Sequence, residues 1–146
     1  MAADEIDYQI IGDDLQAVIV TLDPGEAVFA EAGAMMFMRE GITMATTLDP
    51  NARSGGLFDK LVGAGKRVLA GDSFFVTLFG NEGMRRADVA FGAPYPGKIV
   101  PLNLRDWGGT VLAQKDSFLA AARGVDITVA FTRKIGAGFF GGEGFI

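Results

Sequence analysis

Cysteine and histidine are both absent from this 146-residue chain. Their absence excludes disulfides, thiol nucleophiles and thiolate zinc sites. It excludes equally the Ser-His-Asp and Cys-His relays and any imidazole-bound metal formed within the chain. Long apolar runs are missing too, since no stretch free of Asp, Glu, Lys and Arg exceeds nine residues (73–81 and 89–97). A membrane-spanning helix needs about twenty such residues, so none is expected. The opening MAADEIDYQI is acidic. It lacks the basic start of a signal peptide and the Arg/Ser-rich character of a transit peptide, which leaves the cytoplasm as the expected compartment.

What is present points to a folded β domain. Hydrophobic residues make up 49% of the chain and include twelve phenylalanines, a composition that supports a sizeable core in one domain. Net charge is −5 and uneven: residues 1–50 hold ten acids and one base, whereas residues 51–146 hold eight acids and twelve bases. An acidic chain is a poor general binder of nucleic acid, whose affinity rests on phosphate neutralisation. The charge asymmetry fits either solvated loops or unlike faces that meet between subunits.

Alternating patterns with turn punctuation run through most of the sequence. YQII and LQAVIVTL flank Gly12-Asp13-Asp14, the mark of a hairpin, and DPGE at 23–26 forms the next turn. AVFAE and AMMFMRE follow, divided by Gly33, and ITMATT comes after Gly41. SFFVTLF (73–79), ADVAFG (87–92), KIVPLNL (98–104), GTVLAQK (109–115) and VDITVAF (125–131) complete the predicted strands. Two of these segments, SFFVTLF and AMMFM, are apolar on both faces, so each needs cover on both sides, from its own fold or from a subunit contact.

One helix is predicted, over residues 57–69. At 100° per residue Leu57, Phe58, Leu61, Val62, Ala64, Val68 and Leu69 share one arc, opposite Asp59, Lys60, Lys66 and Arg67. The preferred reading lays this amphipathic helix on the sheet; contact with a membrane surface through Leu57 to Leu69 is the alternative. GAGKR inside it is no phosphate loop, because Lys60 and Arg67 stand where that motif needs Gly and Ser or Thr.

GAGFFG at 136–141 has the glycine spacing of a dinucleotide-binding turn. Only five residues follow it, too few for the helix and the distant acid that the fold requires. Its glycines are read as a strand entry. GDSFF (71–75) and GEGFI (142–146) repeat a similar pattern 71 residues apart. No cofactor and no metal site is therefore expected.

Five ordered blocks carry a resemblance: LDPGEAVFAEAGAMMFM (22–38), AGDSFF (70–75), YPGKIVPLNL (95–104), SFLAA (117–121) and GFFGGEGFI (138–146). Together they resemble the altered-inheritance-of-mitochondria family of bacterial and mitochondrial proteins. The resemblance implies an all-β fold: a double-stranded β-helix, or sandwich-like barrel of antiparallel strands, similar to the tryptophan RNA-binding attenuation protein. It implies a non-enzymatic role and supplies no catalytic residues. Relatives usually continue past the last block, so 1–146 is read as a single β domain that is a short form or the N-terminal part of a longer duplicated protein.

The leading functional reading is a homo-oligomeric binding or assembly module. The alternative is a cupin-like small-ligand binder or enzyme whose cavity is lined by carboxylates such as Glu26, Glu31, Asp72 and Glu143; Phe75 and Phe79 join them as candidate ligand or interface residues. Those acids stand beside glycines or turns, where the simpler role is to accept exposed backbone N–H groups.

Overall fold

The structure, a computed structural model, describes residues 2–47, 76–128 and 145–146. Two compact units emerge: Met1–Ile99 with Leu119–Asp126, and Val100–Phe118 with Ile127–Ile146. The expected helix at 57–69 and the tail at 136–144 lie outside the described residues.

The first unit is all-β. Its strands are β1 (Asp7–Ile11), β2 (Ala17–Leu22), β3 (Ala27–Ala30), β4 (Met35–Met38), β5 (Ile42–Thr47), β6 (Val76–Asn81), β7 (Ala87–Gly92) and β8 (Ala120–Ala122). They form two antiparallel sheets, in the orders β1-β2-β7-β4 and β5-β6-β3-β8. Alternation explains the packing: Val18, Val20 and Leu22 of β2 and Val89 and Phe91 of β7 project from one sheet, and Val28 of β3, Ile42 of β5 and Phe79 of β6 from the other. These residues make one buried cluster, so the sheets form a sandwich. Phe79 and Phe91, both fully buried, meet edge to face at its centre with ring centroids 5.1 Å apart.

Turn chemistry sets the registers. Gly12 takes φ of +95° in the β1–β2 hairpin, and a Cβ there would lie 2.4 Å from the Leu15 carbonyl oxygen, so the turn requires glycine. In DPGE the Glu26 N–H donates to the Asp23 carbonyl at 3.0 Å, closing the expected turn. β6 is buried on its core side, where Phe79 and Thr77 are 2% exposed or less; on its outer side Val76 is buried and Leu78 is half-buried. Phe29 and Ala27 of neighbouring β3, on the same outer side as Val76, are buried as well.

In the second unit the sequence reading needs correction. KIVPLNL and GTVLAQK form no strands. Pro101 has no N–H to give a ladder, and the Asn103 side chain accepts from the Arg105 N–H at 3.2 Å, capping a 3₁₀ turn at Leu104–Trp107 instead. Gly108 and Gly109, at φ of +75° and +91°, break the chain direction before Thr110. Among the described residues of these two segments Gln114 alone bridges, to Phe145, with paired 2.8 Å hydrogen bonds between Ala113 and Ile146. Val125–Thr128 is likewise irregular, and the rest of VDITVAF lies outside the described residues. β8 is a strand that the sequence did not announce, since alanine has little intrinsic preference for one; its pairing with Val28–Ala30 creates it.

Candidate functional site

Two surfaces of the first unit invite chemistry. The first is a depression of about 400 Å³ on the outer side of the β5-β6-β3-β8 sheet. Side chains on that side are small where the strands meet, Ala27, Ala45 and Gly80, so the surface sinks. Glu26, Glu82 and Arg123 stand around it.

Their partners define what each can do. One Glu26 carboxylate oxygen accepts the Asp23 N–H at 2.8 Å, the turn-closing role that its sequence position implied. The Arg123 guanidinium donates to the Gly25 carbonyl at 2.7 Å and pairs with the Asp4 carboxylate at 3.0 Å. Asp4 also accepts the Ala27 N–H at 3.0 Å, so this ion pair fastens the N-terminal segment to β3. The Arg123 Nε is buried and has no hydrogen-bond partner. Beneath the rim Asn81, 1% exposed, holds the turns together. Its Nδ2 donates to the carbonyls of Leu22 and Arg85, both at 2.8 Å, and its Oδ1 accepts from the Gly83 N–H at 2.9 Å.

The second surface is β4, an edge strand of its sheet, as β5 is of the other. Met36 is 62% exposed, Phe37 43%, Met38 41% and Met44 42%. The register shift between Met35 and Phe37 leaves Met36 as an extra residue on the β4 side. Met35 alone of this run packs on the core.

The sequence-predicted site residues do not converge. Glu26 borders the depression. Glu31, exposed, precedes the 3₁₀ turn Ala32–Ala34 at the entrance to β4 and gives that turn no side-chain cap. Phe79 is core, with no surface left for a ligand. Asp72, Phe75 and Glu143 lie outside the described residues. Glu82, Arg123 and Asn81 were missed, although Asn81-Glu82-Gly83 at a strand end is a recognisable turn signal. Among the described residues no three carboxylates converge closely enough to hold a metal ion, and no helix is long and apolar enough to cross a membrane.

Elsewhere charge serves the turns. Arg86 donates to Asp23 at 2.5 Å and also pairs with Asp7, and the hydrogen bond to the Asp23 carboxylate does most to push its pKa further upward.

Comparison with known proteins places this architecture. The uncharacterized protein M6_Spy0233 of Streptococcus pyogenes serotype M6 is 32% identical over 128 residues, covering 87% of this chain and 48% of that protein. The crystal structure of protein SPYM3_0169 from Streptococcus pyogenes superposes with a TM-score of 0.58 at 26% identity, covering 81% of this chain and 50% of that one. This chain thus spans about half the length of the relatives it matches. The family model described as mitochondrial biogenesis AIM24 matches residues 8–146, and the chain belongs to that family.

Proposed function

We propose that the protein is a homo-oligomeric binding or assembly module of the cytoplasm that catalyses no reaction itself. The observation that supports this reading is the exposed Met36-Phe37-Met38 run on β4. Phe79 of β6, the other segment apolar on both faces, is buried in the core, so it makes no demand for a partner. Apolar side chains collected on outermost strands do make that demand, and closed symmetric assemblies meet it without forming fibres. Light scattering at micromolar concentration tests the reading. The expected mass is a multiple of 15.4 kDa, and a single-chain mass at every concentration overturns it.

The depression beside Glu26 and Glu82 favours a second reading, a cupin-like small-ligand binder or enzyme with a carboxylate-lined cavity. Carboxylates of this kind take Mg²⁺ or Ca²⁺, so calorimetry with each metal separates the readings: assembly alone gives no saturable heat. Contact with a membrane surface rests on residues 57–69, and liposome flotation with and without that segment tests it. Nucleic acid is not an expected partner of a chain carrying −5.

A further inference from the structure

Arg123 borders the depression on one side and holds the N-terminal segment on the other, where Asp4 answers its charge. We propose that this pair is a carboxylate site filled by the chain's own Asp4, and that a small monocarboxylate bound in the depression takes the place of that side chain. The inference rests on the small-ligand reading of the depression and names its ligand class.

Three observations carry it. The first is a cradle. The Asp4 carboxylate, 17% exposed, accepts the Ala27 N–H at 3.0 Å and lies 3.0 Å from the Arg123 Nη2, so a backbone donor and a guanidinium converge on one anion. Charge-assisted bonds of this kind also hold free carboxylates. Ala27 and Arg123 both line the depression, which puts the cradle at its edge.

The second is an unused donor. Both Asp4 oxygens approach the same nitrogen, Nη2, at 3.0 and 3.4 Å, whereas the guanidinium fork is matched by one oxygen on each of two nitrogens. The Arg123 Nε is buried without a partner, and a buried donor left open is costly. A carboxylate free of the main chain can accept from Nε and Nη2 together.

The third is how the occupant is held. Residues 2–6 belong to no strand; the Asp4 N–H donates to the Arg123 carbonyl at 2.8 Å, and Ala3 lies so close to Gly124 that a Cβ there would stand 2.7 Å from the Ala3 Cα. A short segment outside any ladder opens more readily than a strand. Asp4 is thus a tethered occupant that can leave.

Selectivity follows from the rim. Glu26 and Glu82 stand beside the same depression and repel a second negative charge on the ligand, while Ala45 and Leu78 suit a short alkyl chain. Propionate fits this description and succinate does not. Because Asp4 competes, the affinity of the wild type is reduced to the fraction of molecules in which the site is vacant.

Calorimetry of the whole chain with propionate and succinate tests the proposal. Wild type should bind propionate weakly and succinate more weakly still, and Asp4→Ala should bind propionate roughly tenfold or more tightly than wild type, with circular dichroism confirming its fold. Asp4→Asn, which keeps an acceptor for the Ala27 N–H, should share the gain. Arg123→Lys keeps the charge but not the fork, and added to Asp4→Asn it should abolish that gain. Propionate should also speed hydrogen exchange at the wild-type Asp4 N–H, because its binding releases the segment. Folded Asp4 variants that bind propionate no tighter than wild type, that keep the gain after Arg123→Lys, or that bind succinate equally well overturn the proposal. Saturable heat with Mg²⁺ or Ca²⁺ but none with propionate overturns it and leaves the small-ligand reading standing; no heat with any of them overturns both.

Discussion

Replacing Asn81 by Asp changes almost no volume and reverses two hydrogen bonds. In the native protein Nδ2 donates at 2.8 Å to the Leu22 and Arg85 carbonyls, so a carboxylate there would face two oxygens from a site 1% exposed. Two lost bonds cost about 2 kcal/mol, and burying a charge against acceptors raises the total to about 4 kcal/mol. Against a domain stability of about 5–15 kcal/mol that is a large fraction. The acceptor for the Gly83 N–H survives, so the turn is weakened and not abolished. The sign with pH follows. The carboxyl of the Asn81→Asp variant is favoured neutral in the folded protein, which raises its pKa above the unfolded value of about 3.9. Its penalty is then complete above the folded pKa and shrinks as pH falls through it, because the neutral form can again donate to one carbonyl. Urea titration of wild type and variant at pH 7 and pH 5, followed by far-ultraviolet circular dichroism, measures this. The gap between the two proteins should narrow on acidification. A gap below about 0.5 kcal/mol at pH 7, or one that widens at pH 5, would refute the account of Asn81 as a buried donor.

Phe79→Ala and Phe91→Ala should each cost about 3–5 kcal/mol. Their double-mutant cycle should show a coupling of about 1 kcal/mol, from the edge-to-face contact that joins the two sheets. Gly12→Ala should destabilise more than Gly25→Ala in thermal melts: both glycines have positive φ, but only at Gly12 would the new Cβ strike backbone. Asp4→Ala removes the partner of Arg123 and of the Ala27 N–H; a loss of about 2 kcal/mol is expected, together with faster hydrogen exchange at Ala27.

Seven of the eight strands were legible in the sequence because each is a short apolar or alternating run bounded by glycine, proline or aspartate turns. DPGE is the clearest case: Pro24 and Gly25 dictate a turn, and Glu26 closes it whatever the rest of the fold does. Residues 98–115 defeated the same reasoning. Their apolar and polar residues alternate, but Pro101, the cap at Asn103 and the Gly108-Gly109 pair act on the backbone and override the pattern. β8 failed in the opposite direction, since three alanines carry no signal and only the ladder with β3 defines them. Asn81 reads in one dimension as an ordinary turn residue. Its role depends on Leu22, 59 residues away, which no local pattern reveals.

The two strands apolar on both faces show where sequence reasoning stops and topology takes over. AMMFM and SFFVTLF make the same demand for cover, and nothing in either pattern says which will obtain it from the fold. β6 lies between β5 and β3, with side chains 76, 77 and 79 buried and only Leu78 half-buried at the depression. β4 has one described neighbour, β7, and its residues 36–38 stay exposed. Burial is thus a property of strand order, and strand order is fixed by long-range pairing. The functional consequence has the same origin: the interface residue named from β6, Phe79, belongs to the core, and the run that asks for a partner is the one on β4. An assembly surface is then found by asking which of two equally apolar strands the sheet leaves at its margin.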